Sequence, residues 1–258
     1  MRTRLLLRSF LIQGSWNYRT MVGTGLAWAL LPALRRRKGD SRVRDAGEDD
    51  AVARHVGHFN GHPYLMTVAL GALAREELNG VDPERVRRFR RVLPAPLGSL
   101  GDTAIWASWR PACLVTALLG VVLGAPALLI VACLLLAYNA VHLGVRVWGV
   151  RAGWAEGVEV GRALGAARFP VWAERIGRVG VLVLGLLLGL LLTEGLQARG
   201  WGIFWLAGAA ASVAVGFRGG ASAGRHGSAL VLVLILGGFI WGGVDGGVFS
   251  GGEPGTDR

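Results

Sequence analysis

Charge is absent from long stretches of this 258-residue chain. No charged side chain lies between Arg110 and Arg146, and later uncharged stretches of 15, 18 and 19 residues occupy 179–193, 200–217 and 226–244. Charged residues make up 17% of the chain and hydrophobic residues 52%, whereas an ordinary soluble domain is about 25% charged. Because about 20 apolar residues cross a bilayer as a helix, the sequence excludes an ordinary soluble domain and predicts an all-α, polytopic membrane protein.

Cysteine is also scarce, with only Cys113 and Cys133 in the chain. Both lie inside the longest uncharged stretch, where cysteine usually serves as a small buried hydrophobic residue, so we expect no disulfide or redox pair. The sequence contains no P-loop, nucleophile elbow or paired-carboxylate site. Residues 1–11 lack the long apolar stretch and cleavage site of a secretory signal. We therefore expect no catalytic residue, no cofactor, no resident metal and no cleaved signal.

Basic residues outnumber acidic ones by 28 to 17, and the net charge is +11. Eighteen of the basic residues lie in residues 1–110, with clusters at 35–38 and 87–91. On a soluble protein such clusters would attract nucleic-acid phosphate. Beside membrane-length apolar stretches they are typical of the cytoplasmic side of a membrane protein, so we expect no nucleic-acid partner.

Helix-breaking residues divide the longest uncharged stretch. As one straight helix, residues 111–145 would be about 52 Å long, but the hydrocarbon core is only about 30 Å thick. Gly124 and Pro126 lie near the middle, and proline removes a helical hydrogen bond and kinks the helix. We therefore predict two segments, such as one span and a re-entrant piece, with Asn139 and His142 near the end of the second.

Five segments follow from the runs of charge and the breaks. We expect residues 1–34 to form an N-terminal interfacial and partner-binding segment, and residues 35–110 to form cytoplasmic-side and re-entrant segments. Residues 111–177 are expected to form a hydrophobic pair plus an amphipathic connector at 152–177. Residues 178–249 are expected to contain C-terminal transmembrane segments at 179–193, 201–216 and 229–243, and residues 250–258 to form a disordered tail. In the second of these, we expect a charged loop at 35–53 and a basic helix that is capped by Asp82 and extends to Arg91.

Three histidines, His55, His58 and His62, follow one another at spacings of four residues or fewer. Such spacing suits zinc ligands on one helical face, but a zinc site also needs a fourth ligand or an open water position, together with a fixed second shell. No further cysteine or histidine lies nearby in the sequence. Asn60 and Gly61 also break the helix before His62. We therefore favour polar loop groups between two apolar segments over a metal site.

An acid and a base, Asp102 and Arg110, lie close together at the start of the longest uncharged stretch. Ionisable groups at or near membrane depth are functional candidates by default. From the sequence, Asp102 either pairs with Arg110 or caps the N-terminus of a helix that runs through Trp106.

The N-terminal residues are amphipathic. Leu5, Leu6 and Phe10 form one apolar face with arginines opposite, which is typical of an amphipathic helix that lies in the membrane interface. Polar and aromatic residues follow, and they are expected to form a belt at the depth of the lipid headgroups: Gln13, Trp16, Asn17 and Tyr18.

Four motifs occur in order along residues 8–153. Their positions are Ser9, Ile12, Gln13, Asn17 and Tyr18; then His55, Phe59, Asn60 and Pro63; then Pro96, Leu97, Gly101, Asp102, Trp106, Arg110 and Pro111; and finally Asn139, His142, Arg146 and Gly149. Together they resemble subunit IID of the mannose/fructose/sorbose family of sugar phosphotransferase systems. The second motif departs from the family loop, because His58, Gly61 and His62 replace Phe, Thr and Asn.

This resemblance implies a multi-pass subunit of the bacterial cytoplasmic (inner) membrane that pairs with subunit IIC, in higher oligomers of such pairs. The pair would translocate a hexose, while separate cytoplasmic IIA and IIB parts carry the phosphoryl group on histidines. The resemblance implies no phosphorylated residue in this chain. Family members are described as elevator-like transporters with a mobile, substrate-carrying domain.

Roles for individual residues follow from the resemblance and from the need of a desolvated sugar for hydrogen bonds. The expected site-lining residues are Asn60, His62 and His58; the expected subunit-interface residues are Gln13, Trp16, Asn17 and Tyr18; and the expected structural or mechanistic motif is Gly101, Asp102, Trp106 and Arg110. Two alternatives remain open, namely a IID-like scaffold or regulatory partner without sugar flux, and a transporter that works without IIC.

Overall fold

The computed structural model describes residues 1–38 and 48–197. Nearly all of them are helical, and these ranges contain two isolated β-bridges, from Met21 to Asn17 and to Phe59, but no strand. The predicted all-α fold is confirmed. The chain divides into two compact units, Met1–Leu187 and Leu188–Arg258. Some predicted segments lie outside the described residues, namely 201–216, 229–243, 250–258 and the middle of the charged loop at 35–53.

The described helices begin with α1, close to the N-terminus. In chain order they are α1 (Arg2–Ser9), a 310-helix (Ile12–Ser15), α2 (Gly23–Lys38), α3 (Glu48–Val56), α4 (Met66–Leu78), α5 (Pro83–Val92), α6 (Pro94–Gly101), a π-helix (Asp102–Trp109), α7 (Arg110–Val122), α8 (Ala127–Glu156), a 310-helix (Gly157–Glu159), α9 (Val160–Ala166) and α10 (Phe169–Gln197).

Two helical stretches of the described chain are long and apolar enough to cross a membrane. They are Pro83–Val122, with 40 residues, and Ala127–Leu191, with 65 residues. Large apolar side chains on the second stretch, such as Leu128 and Leu136, are largely exposed. This outward apolar surface is what lipid requires of a spanning helix, and it fits the predicted membrane fold.

The predicted break in the longest uncharged stretch is confirmed. α7 ends at Val122, and α8 begins at Ala127 after a turn in which Gly124 has a φ of 74°. Glycine adopts this left-handed conformation without the steric cost that a Cβ would add. Pro126 directly precedes α8, so the chain changes direction between two helices.

Two predictions for the following residues are wrong. Asn139 and His142 lie in the middle of α8 rather than near its end, because the helix continues until Gly157, where φ is 56°. The amphipathic connector is shorter than expected, because α10 begins at Phe169. Pro170 occupies the first turn of α10, where proline is well accommodated.

α4 is the most buried helix of the first unit, and its residues 66–74 are all buried. It packs against α8 through glycines on both helices. A Cβ on Gly71 would lie 2.4 Å from the carbonyl oxygen of Val150, and a Cβ on Gly153 would lie 2.1 Å from that of Val68. Because real Cβ atoms do not come so close to backbone, only glycine permits this approach of the two helices.

A buried ionic group joins α3 to α4. Arg54 donates hydrogen bonds to both carboxylate oxygens of Glu77, at 3.2 and 3.1 Å, and His55 Nε2 lies 2.8 Å from Glu77 Oε1. Burial alone would raise the pKa of Glu77, but the hydrogen bonds from His55 and Arg54 lower it from 4.5 to about 2. Burial lowers the pKa of His55, so its neutral ring donates while Arg54 supplies the positive charge.

Replacing Gly153 with Ala should destabilise the protein, because the added methyl group pushes α8 away from α4. We expect a loss of about 1–3 kcal/mol, the usual cost of forcing atoms into a packed contact, measured by thermal unfolding in detergent. Gly144→Ala is the matched control, since it lies on the same helix with nothing within 4 Å of an added Cβ. Equal unfolding temperatures for the two variants would contradict the close contact.

Glu77 predicts an acid-sensitive stability. Because folding lowers its pKa from 4.5 to about 2, its contribution is complete above pH 4.5 and is lost as the pH falls towards 2. Glu77→Gln should cost about 3–5 kcal/mol at pH 7, as expected when a buried pair is broken, and should flatten the pH dependence of denaturant unfolding in this range.

The control for this variant is Glu84→Gln. Glu84 pairs with Arg87 and Arg88 at the surface, and exposed pairs contribute about 0–1 kcal/mol. A Glu77→Gln protein as stable as wild type at pH 7 would rule out the buried pair as a source of stability.

Candidate functional site

His62, one of the predicted site-lining residues, is buried, with 1% of its surface exposed. The loop that carries it is fixed by backbone hydrogen bonds from Phe59 to Thr20 and from Val22 to Phe59. His62 Nδ1 accepts a hydrogen bond from the N–H of Tyr64 at 3.3 Å, so Nε2 carries the proton of the neutral ring. This Nε2–H has no hydrogen-bond partner among the described residues.

Gly101 makes room for the His62 ring. A Cβ at position 101 would lie 2.3 Å from both Cβ and Cγ of His62, so any side chain there would displace the imidazole. Trp106 meets the same imidazole edge-to-face, with 4.9 Å between the ring centroids. The π-helix Asp102–Trp109 presents this tryptophan, and π-helical segments are frequent at functional sites. The structure thus brings together three predicted residues, His62, Gly101 and Trp106.

Tyr64 extends this contact into a larger group of rings. We call it the aromatic cluster: His62, Tyr64, Trp106, Tyr138 and His142. The Tyr64 ring stacks on that of His142, with 4.0 Å between centroids and 17° between planes. The hydroxyl oxygens of Tyr64 and Tyr138 lie 2.8 Å apart. The cluster therefore joins the loop before α4, the π-helix and the middle of α8.

The buried guanidinium of Arg146 borders the aromatic cluster. It donates to His142 Nε2 at 2.7 Å, and to the carbonyl and hydroxyl oxygens of Ser9 at 2.7 and 3.0 Å. Its Cζ lies 4.9 Å from the ring centroid of Phe10 and 5.3 Å from that of Tyr64. No carboxylate pairs with it in the described part of the chain. Neutral acceptors and ring faces therefore hold this cation, and His142 Nε2 is the unprotonated nitrogen.

Two titratable groups of the aromatic cluster, His62 and Tyr64, have pKa values that are shifted in favour of their neutral forms. Burial, together with the nearby Arg146 and His142, lowers the pKa of His62 to about 4. Burial and the hydrogen bond with Tyr138 raise the pKa of Tyr64. At these two residues a neutral imidazole donor and a neutral phenol hydroxyl result, and both groups suit hydrogen bonds to an uncharged polar ligand.

Asp102, Trp106 and Arg110 are exposed, and they follow one another at four-residue spacing along the helical stretch Pro83–Val122. The prediction that Asp102 caps a helix is wrong, because the chain is already helical from Pro94 onward and leaves no free N–H groups at this position. The alternative pair with Arg110 is not formed either. Within residues 1–38 and 48–197, the Asp102 carboxylate has no hydrogen-bond or ion-pair partner.

The other predicted loop residues lie at the surface. Asn60 and His58 are exposed, whereas His55 is buried in the ionic group with Glu77. The three histidines do not share a helical face, because α3 ends at Val56. Over the ranges that the structure describes, no three His, Cys, Asp or Glu side chains gather as a metal site.

The predicted N-terminal belt is shaped by Asn17. Its carboxamide donates to the Thr20 hydroxyl at 2.7 Å and accepts from the N–H of the same residue at 2.9 Å. The turn leaves Trp16 49% exposed and Tyr18 84% exposed, with their rings in edge contact at 4.8 Å. Gln13 is exposed on the preceding 310-helix. Asn17 thus builds the turn, and the other three residues face outward from it.

Sequence reasoning missed Tyr64 and Tyr138. The chain contains only three tyrosines, and these two fall in apolar segments. A phenolic hydroxyl in such surroundings usually needs a hydrogen-bond partner. A rare tyrosine within an apolar segment is therefore the signal by which these two residues could have been found.

Comparison with known proteins gives the family of the chain. Residues 1–193 match the PTS system mannose/fructose/sorbose family IID component. The PTS system mannose-specific EIID component of Escherichia coli K12 is 30% identical over 189 residues, which cover 71% of this chain and 65% of that protein. The fructose permease IID component of Bacillus subtilis 168 is 28% identical over 193 residues, which cover 71% and 66%. The chain thus spans just under two thirds of the length of these relatives.

Solved structures share the fold. The cryoEM structure of the mannose transporter ManYZ in complex with microcin E492 contains a chain that is 27% identical, with a TM-score of 0.55 over 75% of this chain and 69% of that one. A second membrane protein gives a TM-score of 0.61 at 27% identity, over 72% and 68%. The family match contains the loop, the π-helix and the middle of α8. The chain belongs to the IID components of the mannose/fructose/sorbose family of sugar phosphotransferase systems.

Proposed function

We propose that this chain is the membrane-embedded IID component of a mannose-type sugar transporter. With a IIC subunit it forms the unit that translocates a hexose, and separate cytoplasmic IIA and IIB parts phosphorylate the sugar. It crosses the bacterial cytoplasmic membrane several times and works in higher oligomers of IIC–IID pairs. Family membership, and relatives named for mannose and fructose, support this role.

The observation that carries the proposal is the exposed face of Asp102, Trp106 and Arg110. It lies on a helical stretch long enough to cross a membrane, and a charged side chain at membrane depth needs a protein or water partner. The described chain offers Asp102 none. A IIC subunit covers this face, with the translocation pathway beside it.

The proposed sugar contacts come from the loop and the aromatic cluster. Sugar hydroxyls that leave water need replacement hydrogen bonds, and His62 Nε2–H is a buried donor without a partner among the described residues. The Tyr64 hydroxyl adds a group that both donates and accepts. Asn60 and His58, exposed on the same loop, complete the proposed lining.

The N-terminal belt is the second proposed contact with IIC. Tryptophan and tyrosine are enriched in protein–protein interfaces, and Trp16 and Tyr18 are exposed as a contacting pair. Gln13 lies beside them in the sequence, and Asn17 holds their turn. This belt and the Asp102 face together form the proposed docking surface.

A scaffold or regulatory partner without sugar flux is the second candidate function. It is favoured by the burial of His62, whose ring is turned into the protein at a position where the resemblance implies an asparagine. Co-purification of IIC without any sugar uptake would support this candidate over the transporter.

Asp102→Ala should reduce uptake of labelled mannose about tenfold or more, because a charge-assisted hydrogen bond is worth about 1.5–3 kcal/mol. The measurement uses cells that lack their own IID and express this chain with IIC, IIA and IIB. Glu84→Gln removes another exposed acid of the same helical stretch and should leave uptake unchanged. Wild-type uptake by Asp102→Ala, at equal membrane levels, would remove this carboxylate from the mechanism.

His62→Phe should reduce uptake about threefold to tenfold, as expected for one lost hydrogen bond, because it keeps a ring but removes the donor. His62→Asn keeps a donor and should retain more uptake than His62→Phe. Glu84→Gln, a change at an exposed position of α5 outside the proposed lining, serves as the control. Equal uptake by the two His62 variants would exclude a hydrogen-bonding role.

A further inference from the structure

A cleft of about 760 Å³ lies between α1 and α2, apart from the aromatic cluster. The described residues that line it are Met1, Arg4, Arg8, Pro32, Arg35 and Arg36. Four of these six carry a guanidinium, and none of them carries a carboxylate. Like charges gathered in a cleft raise the local potential for anions, so this cleft is built for a negatively charged ligand.

Two helices hold the guanidinium groups on opposite sides of the cleft. Arg4 and Arg8 are four residues apart and therefore share a face of α1. Arg8 is fixed, because it donates to the carbonyl oxygen of Trp28 at 2.6 Å and its Cζ lies 4.3 Å from the Trp28 ring centroid. Arg36 approaches from the last turn of α2. Its guanidinium and that of Arg4 form no ion pair with any described residue, so both are available to an anion.

Exposed apolar side chains lie close to these arginines in the sequence. Leu7 of α1 is 64% exposed and lies three residues after Arg4, and Leu11, in the turn that follows α1, is 63% exposed. Residues three apart are neighbours on a helix surface. Guanidinium groups beside exposed leucines match a ligand with a phosphate at one end and a hydrocarbon chain at the other.

We propose that this cleft binds the headgroup phosphate of an anionic phospholipid. Guanidinium groups of both helices hold the phosphate oxygens through charge-assisted hydrogen bonds, and the acyl chain lies along Leu7 and Leu11. A free phosphate ion would use the same arginines but would gain nothing from the leucines. The lipid thereby fastens α1 to α2.

The test measures the unfolding temperature of the purified full-length chain in zwitterionic detergent. Dioleoyl phosphatidylglycerol should raise it, whereas dioleoyl phosphatidylcholine or inorganic phosphate at the same concentration should not. In the double variant Arg4→Gln/Arg36→Gln, the concentration of phosphatidylglycerol needed for half of the shift should rise about tenfold to thirtyfold, since each surface arginine is worth about 1 kcal/mol towards anionic lipid.

The matched control is Arg85→Gln/Arg91→Gln, which removes two exposed arginines of α5 that lie outside the cleft. It should respond to phosphatidylglycerol as wild type does. If the first double variant does not fold, Arg36→Gln alone carries the test. Equal responses of the cleft and control variants to phosphatidylglycerol would contradict the assignment of this cleft as the binding site. Stabilisation by inorganic phosphate or phosphatidylcholine to the same extent would contradict the assignment of an anionic phospholipid as the ligand.

Discussion

The arrangement around the candidate site depends on one buried cation. Removing the Arg146 guanidinium from water costs several kcal/mol unless its N–H groups find acceptors, and in the described chain no carboxylate supplies one. Ser9 and His142 provide the acceptors instead, and Phe10 and Tyr64 provide ring faces. Ser9 and Phe10 lie at the end of α1, and Tyr64 lies in the loop before α4, so a single side chain of α8 orients both segments.

The close approach of α4 and α8 brings these groups within reach of one another. Gly149 lies one turn after Arg146, and a Cβ there would come within 2.1 Å of the Thr67 hydroxyl at the start of α4. Because α4 begins at Met66, two residues after Tyr64, the same contact holds the tyrosine ring over His142. Small residues at a helix crossing thus set the position of large ones at the site.

Features that depend on neighbouring residues could be predicted from the sequence, and features that depend on distant ones could not. Asp82 caps α5 by accepting from the N–H of Arg85 at 3.0 Å, as its position before proline indicates. Pro94, by contrast, begins α6 instead of breaking the chain, which is why Asp102 has no helix to cap. The hydroxyl contact of Tyr64 with Tyr138 joins residues 74 positions apart, and no local pattern reveals it.

The imidazole of His62 occupies the space that Gly101 leaves empty, and this fit ties the loop to the helix that bears the exposed acid. A bulkier residue at 101 would expel the ring, while a shorter residue at 62 would open a void against bare backbone. A change of side-chain size at either position therefore alters the packing at the other, and the conformation of the loop is coupled in this way to the membrane-length helix.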